Sequence, residues 1–146
     1  PKILKRYPSM KWHVVGSKVT KAVQELNSEN ILIEGFQPDE VLHRLYRECR
    51  MAVVPLRYGA GVKGKVVESA YFQIPLVTTS IGAEGLDCED DPFVIEDNAD
   101  KMAEKICSLY EDYDKLRILS DKGKDFIRKN FTLRVAEDVL RADMEL

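Results

Sequence analysis

Val53-Val54-Pro55-Leu56-Arg57-Tyr58-Gly59-Ala60-Gly61-Val62-Lys63-Gly64-Lys65-Val66-Val67-Glu68 is a short apolar run, then a loop with three glycines and two lysines, then the opening of a helix. A brief β-branched run that stops at a proline reads as a strand of a parallel sheet covered on both faces. Glycines let the chain turn sharply and let a ligand approach the main chain with no Cβ in the way. Free amides at the helix N-terminus, with the positive end of the helix dipole, make an anion site. Lys63 and Lys65 add mobile positive charge, so the expected guest is a phosphate or diphosphate. The stretch is not the GxxxxGK[ST] phosphate loop, because no Ser or Thr follows the lysine. Gly59, Gly61 and Gly64 match the string GxGxxG, but outside the first-strand setting that gives that string its meaning. The bland alternative is a glycine-rich strand-to-helix turn with solvated lysines. Glu68 weighs against it. One turn into the helix, its carboxylate can accept two hydroxyl hydrogen bonds from a ribose, whereas complementing the helix dipole is worth only about 0.3–1 kcal/mol.

Working outward, the same alternation recurs. Strands are expected at Trp12–Val15, Ile31–Ile33, Met51–Val54, Leu76–Thr79 and Phe93–Ile95. Helices are expected at Lys18–Leu26, Asp39–Cys49, Lys65–Phe72, Asn98–Tyr110, Tyr113–Asn130 and Thr132–Met144. In the second helix Val41, Leu42, Leu45, Tyr46 and Cys49 form one apolar stripe behind an acidic first turn. Strand and helix in alternation, with short joints, mean right-handed crossovers and a doubly wound parallel α/β sheet. Pro1 to Pro8 reads as the end of a helix, so a strand and most of a helix are expected before Pro1. That first strand is often central in such sheets, and without it unpaired edges invite self-association.

Composition agrees with one domain. The chain has 146 residues, 45% hydrophobic and 32% charged, with a formal charge of −3. That balance argues against a nucleic-acid footprint or an anionic membrane surface, and no stretch approaches the roughly 18 apolar residues of a membrane span. Cys49, Cys88 and Cys107 lack disulfide or zinc spacing and read as reduced, buried or half-buried thiols. His13 and His43 read as packing or surface residues. Asp112-Tyr113-Asp114 falls among helical residues, where positions two apart do not face each other, so a shared metal is not expected. The acidic run Asp87 to Asp91 reads as a solvated loop.

The glycine loop, then Glu68, then Ile74-Pro75-Leu76-Val77-Thr78-Thr79, then Gly82-Ala83-Glu84-Gly85-Leu86 together resemble the donor-binding half of group-one glycosyltransferases with the GT-B fold. Ile31 to Phe36, Leu45 to Arg50 and Lys124 to Phe131 match as well, so the resemblance covers nearly the whole chain. It implies that residues 1–146 are a single Rossmann-like donor domain, the C-terminal half of a GT-B enzyme. By the same resemblance Glu68 matches the second glutamate of an E-x7-E motif and binds the donor ribose. Gly61, Val62, Lys63 and Gly64 match the loop facing diphosphate and donor sugar, with Lys63 stabilising the leaving group; Phe36 and Gln37 line the nucleobase. Two positions depart from the pattern. The first glutamate falls at Ala60, where Lys63 would in part replace it, and Gln73 stands where a helix-ending glycine is usual. A left-handed Gln73 would cost roughly 1 kcal/mol.

The implied substrate is a nucleotide-diphosphate sugar such as a UDP- or GDP-sugar, used by a retaining, metal-free enzyme with no cofactor. The implied partner is an acceptor glycan or lipid, bound through an N-terminal domain that, with the diphosphate-binding Arg and Lys, lies before Pro1. The implied setting is cytoplasmic polysaccharide synthesis, membrane-peripheral in the full-length protein. Two other readings stand beside it: a non-catalytic ligand-binding or assembly domain of the same fold, and a sugar-nucleotide epimerase.

Overall fold

A computed structural model of the protein describes residues 1–86 and 88–144. The chain runs α1 (Lys2–Arg6), β1 (Trp12–Val15), α2 (Lys21–Gln24), β2 (Ile31–Gly35), α3 (Asp39–Glu48) and β3 (Ala52–Val54). It continues α4 (Gly64–Tyr71), β4 (Leu76–Thr78), β5 (Val94–Ile95), α5 (Ala99–Tyr110), α6 (Tyr113–Asn130) and α7 (Leu133–Asp143). Every expected strand and helix forms, most within two residues of the bounds expected from sequence. The exception is α2, expected to begin at Lys18. Lys18 instead sits in the left-handed region at φ 61°, and Thr20 caps the helix by accepting from the Val23 amide at 3.4 Å.

All strand pairs are parallel. They form two sheets, β1-β2 and β3-β4-β5, where one continuous sheet was expected. Neither β1 nor β2 pairs with β3, which leaves an unpaired edge on each side. Successive strand residues point to opposite faces, and β4 shows what that achieves here. Leu76 joins Val54, Val66, Ala70, Phe93 and Phe126 in one apolar cluster. Its neighbour Val77 joins Met102, Ile106, Leu109, Leu116 and Leu119 in the other. Burying each of these two side chains stabilises the fold by about 1.5–3 kcal/mol. Trp12 of β1, with Met51 and Val53, packs against the second cluster, which attaches the two-stranded sheet to the rest.

Gln73 does adopt the left-handed conformation, at φ 58°. It closes α4 in a Schellman arrangement: Ile74 N–H donates to Ser69 O and Gln73 N–H to Ala70 O, each at 3.0 Å. Ser120 Oγ on α6 also donates to Gln73 O at 2.7 Å, fixing the turn from outside. Gln73→Gly removes the Cβ strain and keeps every one of these backbone bonds. It is expected to raise stability by about 1 kcal/mol in chemical denaturation.

Candidate functional site

In a parallel sheet the ligand crevice lies outside the carboxyl ends of the strands, and the expected site residues lie in the segments that leave those ends, Phe36 and Gln37 on the two-stranded sheet and the others on the three-stranded one. Phe36 and Gln37 follow β2, the glycine loop follows β3, and residues 79–86 follow β4. Glu96, Asp97 and Asn98 follow β5. The loops after β3, β4 and β5 are tied to one another. Asp97 Oδ1 accepts from Ser80 N at 2.8 Å and from Ser80 Oγ at 3.0 Å. Thr79 Oγ1 donates to Leu56 O at 2.6 Å and accepts from Gly82 N at 3.1 Å. Lys105 holds Glu96 by an ion pair of 2.9 Å and, through that hydrogen bond above all, keeps its carboxyl below the ordinary glutamate range.

The glycine loop is an array of free donors. Among the described residues, no backbone N–H from Arg57 to Lys65 donates a hydrogen bond within the chain. Lys63 is the N-cap of α4 and makes no side-chain cap bond, so the first amides of that helix stay available. Gly61 sits at φ 70°, a conformation that lets the loop fold back over the helix end. Across from it, an added Cβ on Gly85 (φ 77°) would stand 3.3 Å from Val62 Cγ2, so the loops after β3 and β4 touch.

Lys63 departs from the expectation of mobile charge. Its side chain is buried, and Nζ donates to Gly61 O and, at 3.1 Å, to Glu84 Oε2. A buried ammonium needs such partners, and the loop after β4 supplies one 21 residues away. Lys65 and Arg57 remain exposed.

Glu68 is exposed on α4, one turn in from the free amides. Tyr46 on α3 donates its hydroxyl to Glu68 Oε2 at 3.3 Å, and its ring stacks on Phe72 at 5.0 Å with 9° between planes. Burial, and then the Glu68 charge, raises the Tyr46 phenol above its ordinary value. The phenol therefore stays a donor and orients the carboxylate. Tyr46 read in sequence only as part of an apolar stripe; what it holds is 22 residues away.

Phe36 is 77% exposed, and Gln37 Nε2 turns back to donate to Glu34 O at 2.9 Å. A cavity of about 340 Å³ lies beside Glu34 and Gly35, with neither Phe36 nor Gln37 in its lining. A larger one, about 480 Å³, is bounded by Glu89, Asp90, Lys122 and Lys129, away from the glycine loop. The acidic run is otherwise a loop in which Lys129 lies 3.9 Å from both Glu89 and Asp90; Asp87 falls outside the described residues. In Asp112-Tyr113-Asp114, Asp112 caps α6 by accepting from the Lys115 amide at 3.0 Å, and Asp114 pairs with Arg117 at 3.7 Å. Among the described residues no group of three or more His, Cys, Asp or Glu could hold a metal ion. Nor is any described helix long and apolar enough to cross a membrane.

Comparison with known proteins gives the geometry a family. The family model described as Glycosyl transferases group 1 matches residues 1–112. The solved structure "Crystal Structure of TarM" superposes with a TM-score of 0.77 over 95% of this chain at 18% identity. At that identity the likeness is one of fold. The chain spans 30% of the TarM chain, and no curated protein matches it.

Proposed function

The chain belongs to the group 1 glycosyltransferases, and on that basis we propose that it binds a nucleotide-diphosphate sugar and presents it for transfer. The observation that carries this is the run of unbonded amides from Arg57 to Lys65 with the Glu68 carboxylate one turn further on. The diphosphate lies on the amides and the positive end of α4. Glu68, with Oε2 steadied by Tyr46, accepts from the ribose hydroxyls. Phe36, exposed at the end of β2, offers a face to the nucleobase, with Gln37 beside it.

Transfer breaks the sugar–phosphate bond and leaves negative charge on the departing diphosphate. Donors fixed in advance stabilise that charge, each worth about 2.7–4 kcal/mol of barrier. Because Glu84 already balances Lys63, the stabilisation falls chiefly to the amides, the helix terminus and the exposed Lys65 and Arg57. Charge neutralisation of this kind asks for no metal. The acceptor, a glycan or lipid, would be bound by a further domain of a longer protein, consistent with cytoplasmic polysaccharide synthesis. A second reading, binding without transfer, draws on Ala60, which puts a methyl where the motif has a carboxylate.

Calorimetric titration of this chain with UDP-, GDP- and ADP-glucose tests the proposal. One nucleotide is expected to bind, weakly, and the 146 residues alone are expected to transfer no sugar. Binding of none of the three would overturn the reading, and turnover by these residues alone would overturn the need for a second domain.

A further inference from the structure

The glycine loop is flanked by two carboxylates, and only one has been given a task. Glu68 stands on α4, on the helix side of the free amides. Glu84 stands in the loop after β4, within 3.1 Å of the ammonium of Lys63, the residue that precedes α4. The two environments differ. Lys63 is 9% exposed, whereas the Glu84 side chain is 48% exposed. Among the described residues Oε2 of Glu84 bonds Lys63, and Oε1 has no partner. A carboxylate is acceptor-only, so this oxygen can be satisfied only by water or by a donor from a ligand.

Glu84 is also held still. The Lys63 stem lies under Gly59, where an added Cβ would come 3.2 Å from Lys63 Cε, and Gly85 abuts Val62. The lysine balances the charge of Glu84, so an anion on the neighbouring amides is not repelled by a bare carboxylate. An anion-binding row of amides with two separate carboxylates at hand suits a ligand with a diphosphate in the middle and a polyol at both ends.

Resting on the donor-binding reading above, we propose that Glu84 reads the hydroxyls of the transferred sugar, with Lys63 as the residue that positions it. Glu68 then serves the ribose end and Glu84 the sugar end. Hydrogen bonds from hydroxyls to a positioned carboxylate are charge-assisted and stronger than neutral ones, so Glu84 contributes to choosing the sugar rather than the nucleotide.

The test separates the two ends of the donor. The isotope-labelled chain is titrated with UDP, GDP and ADP, then with the glucose, galactose and mannose conjugates of the diphosphate that binds, following amide shifts by NMR. The wild type is expected to bind its best conjugate at least tenfold more tightly than the bare diphosphate. Glu84→Gln is expected to reduce that advantage to below about threefold while the affinity for bare diphosphate stays level or rises, since Lys63 loses its counter-charge. Glu84→Asp, which keeps the charge and shortens the reach, serves if the amide variant loosens the fold. An undiminished sugar advantage in either folded variant overturns the proposal. So does an equal loss for conjugate and bare diphosphate, which would place Glu84 at the diphosphate. If the wild type binds no diphosphate at all, the donor-binding reading itself has failed.

Discussion

Glu68→Ala is expected to weaken binding of the nucleotide-diphosphate sugar by about 30- to 160-fold, or 2–3 kcal/mol. The size follows from what the carboxylate does in the proposed complex. It accepts two ribose hydroxyls, and hydrogen bonds to a charged group are worth about 1.5–3 kcal/mol each, with part of the loss recovered by water entering the space. Stability should hardly change, because Glu68 is exposed and, among the described residues, its carboxylate's one hydrogen bond is from the Tyr46 hydroxyl at 3.3 Å. Tyr46 keeps its stack on Phe72 when that contact goes. Titration and thermal melting of the same variant check both halves. Equal affinity in the variant and the wild type would assign Glu68 to the helix dipole alone. If a longer form of the protein transfers sugar, the variant should lose a similar factor in kcat/KM, chiefly through KM; an unchanged kcat/KM would remove Glu68 from donor binding.

Gly82→Ala is expected to be the most damaging single methyl in the molecule, costing about 3 kcal/mol of stability, toward the upper end of overpacking effects. An added Cβ at Gly82 would stand 2.0 Å from Thr78 Oγ1 and 3.3 Å from Thr78 Cβ. Thr78 cannot yield, since it is fully buried on β4 and donates to Val54 O of β3 at 2.9 Å. The loop must move instead, and with it Gly82 N–H leaves Thr79 Oγ1 and Glu84 leaves Lys63. Donor affinity should fall with stability. Thr78→Ala in the same chain removes the nearest clash, so the double variant should recover at least 1 kcal/mol relative to the sum of the singles. Strict additivity in denaturation would show that the contact is not the cause.

What could be read from the sequence divides along the range of the interactions involved. The strand-loop-helix reading of Val53 to Glu68 rested on local signals: a β-branched run, a proline stop, three glycines. It placed the free amides correctly because those amides depend only on the loop and helix next to them. Gln73 was legible for the same reason, since a left-handed cap is decided within the last turn of its own helix. Lys63 was not. Its solvated character in sequence gave way to burial because Glu84 reaches it from 21 residues away, and no pattern within one loop announces that partner. Tyr46 was assigned to an apolar stripe, and its ring does stack, yet its hydroxyl serves Glu68 on another helix. A tyrosine in an otherwise aliphatic stripe was the available signal, because a half-buried phenol needs a hydrogen-bond partner. The division into two sheets likewise turns on pairing between distant strands, which the apolar runs do not encode.

The chemistry assigned to this chain depends on a leaving group resting on main-chain nitrogen donors between Arg57 and Lys65. A crystal structure with the tightest-binding nucleotide-diphosphate sugar from the titrations tests that directly. Diphosphate oxygens are predicted within about 2.7–3.2 Å of those amides, with the ribose on Glu68. A diphosphate seated instead in the Lys122 and Lys129 cavity, leaving the glycine loop untouched, would contradict the account.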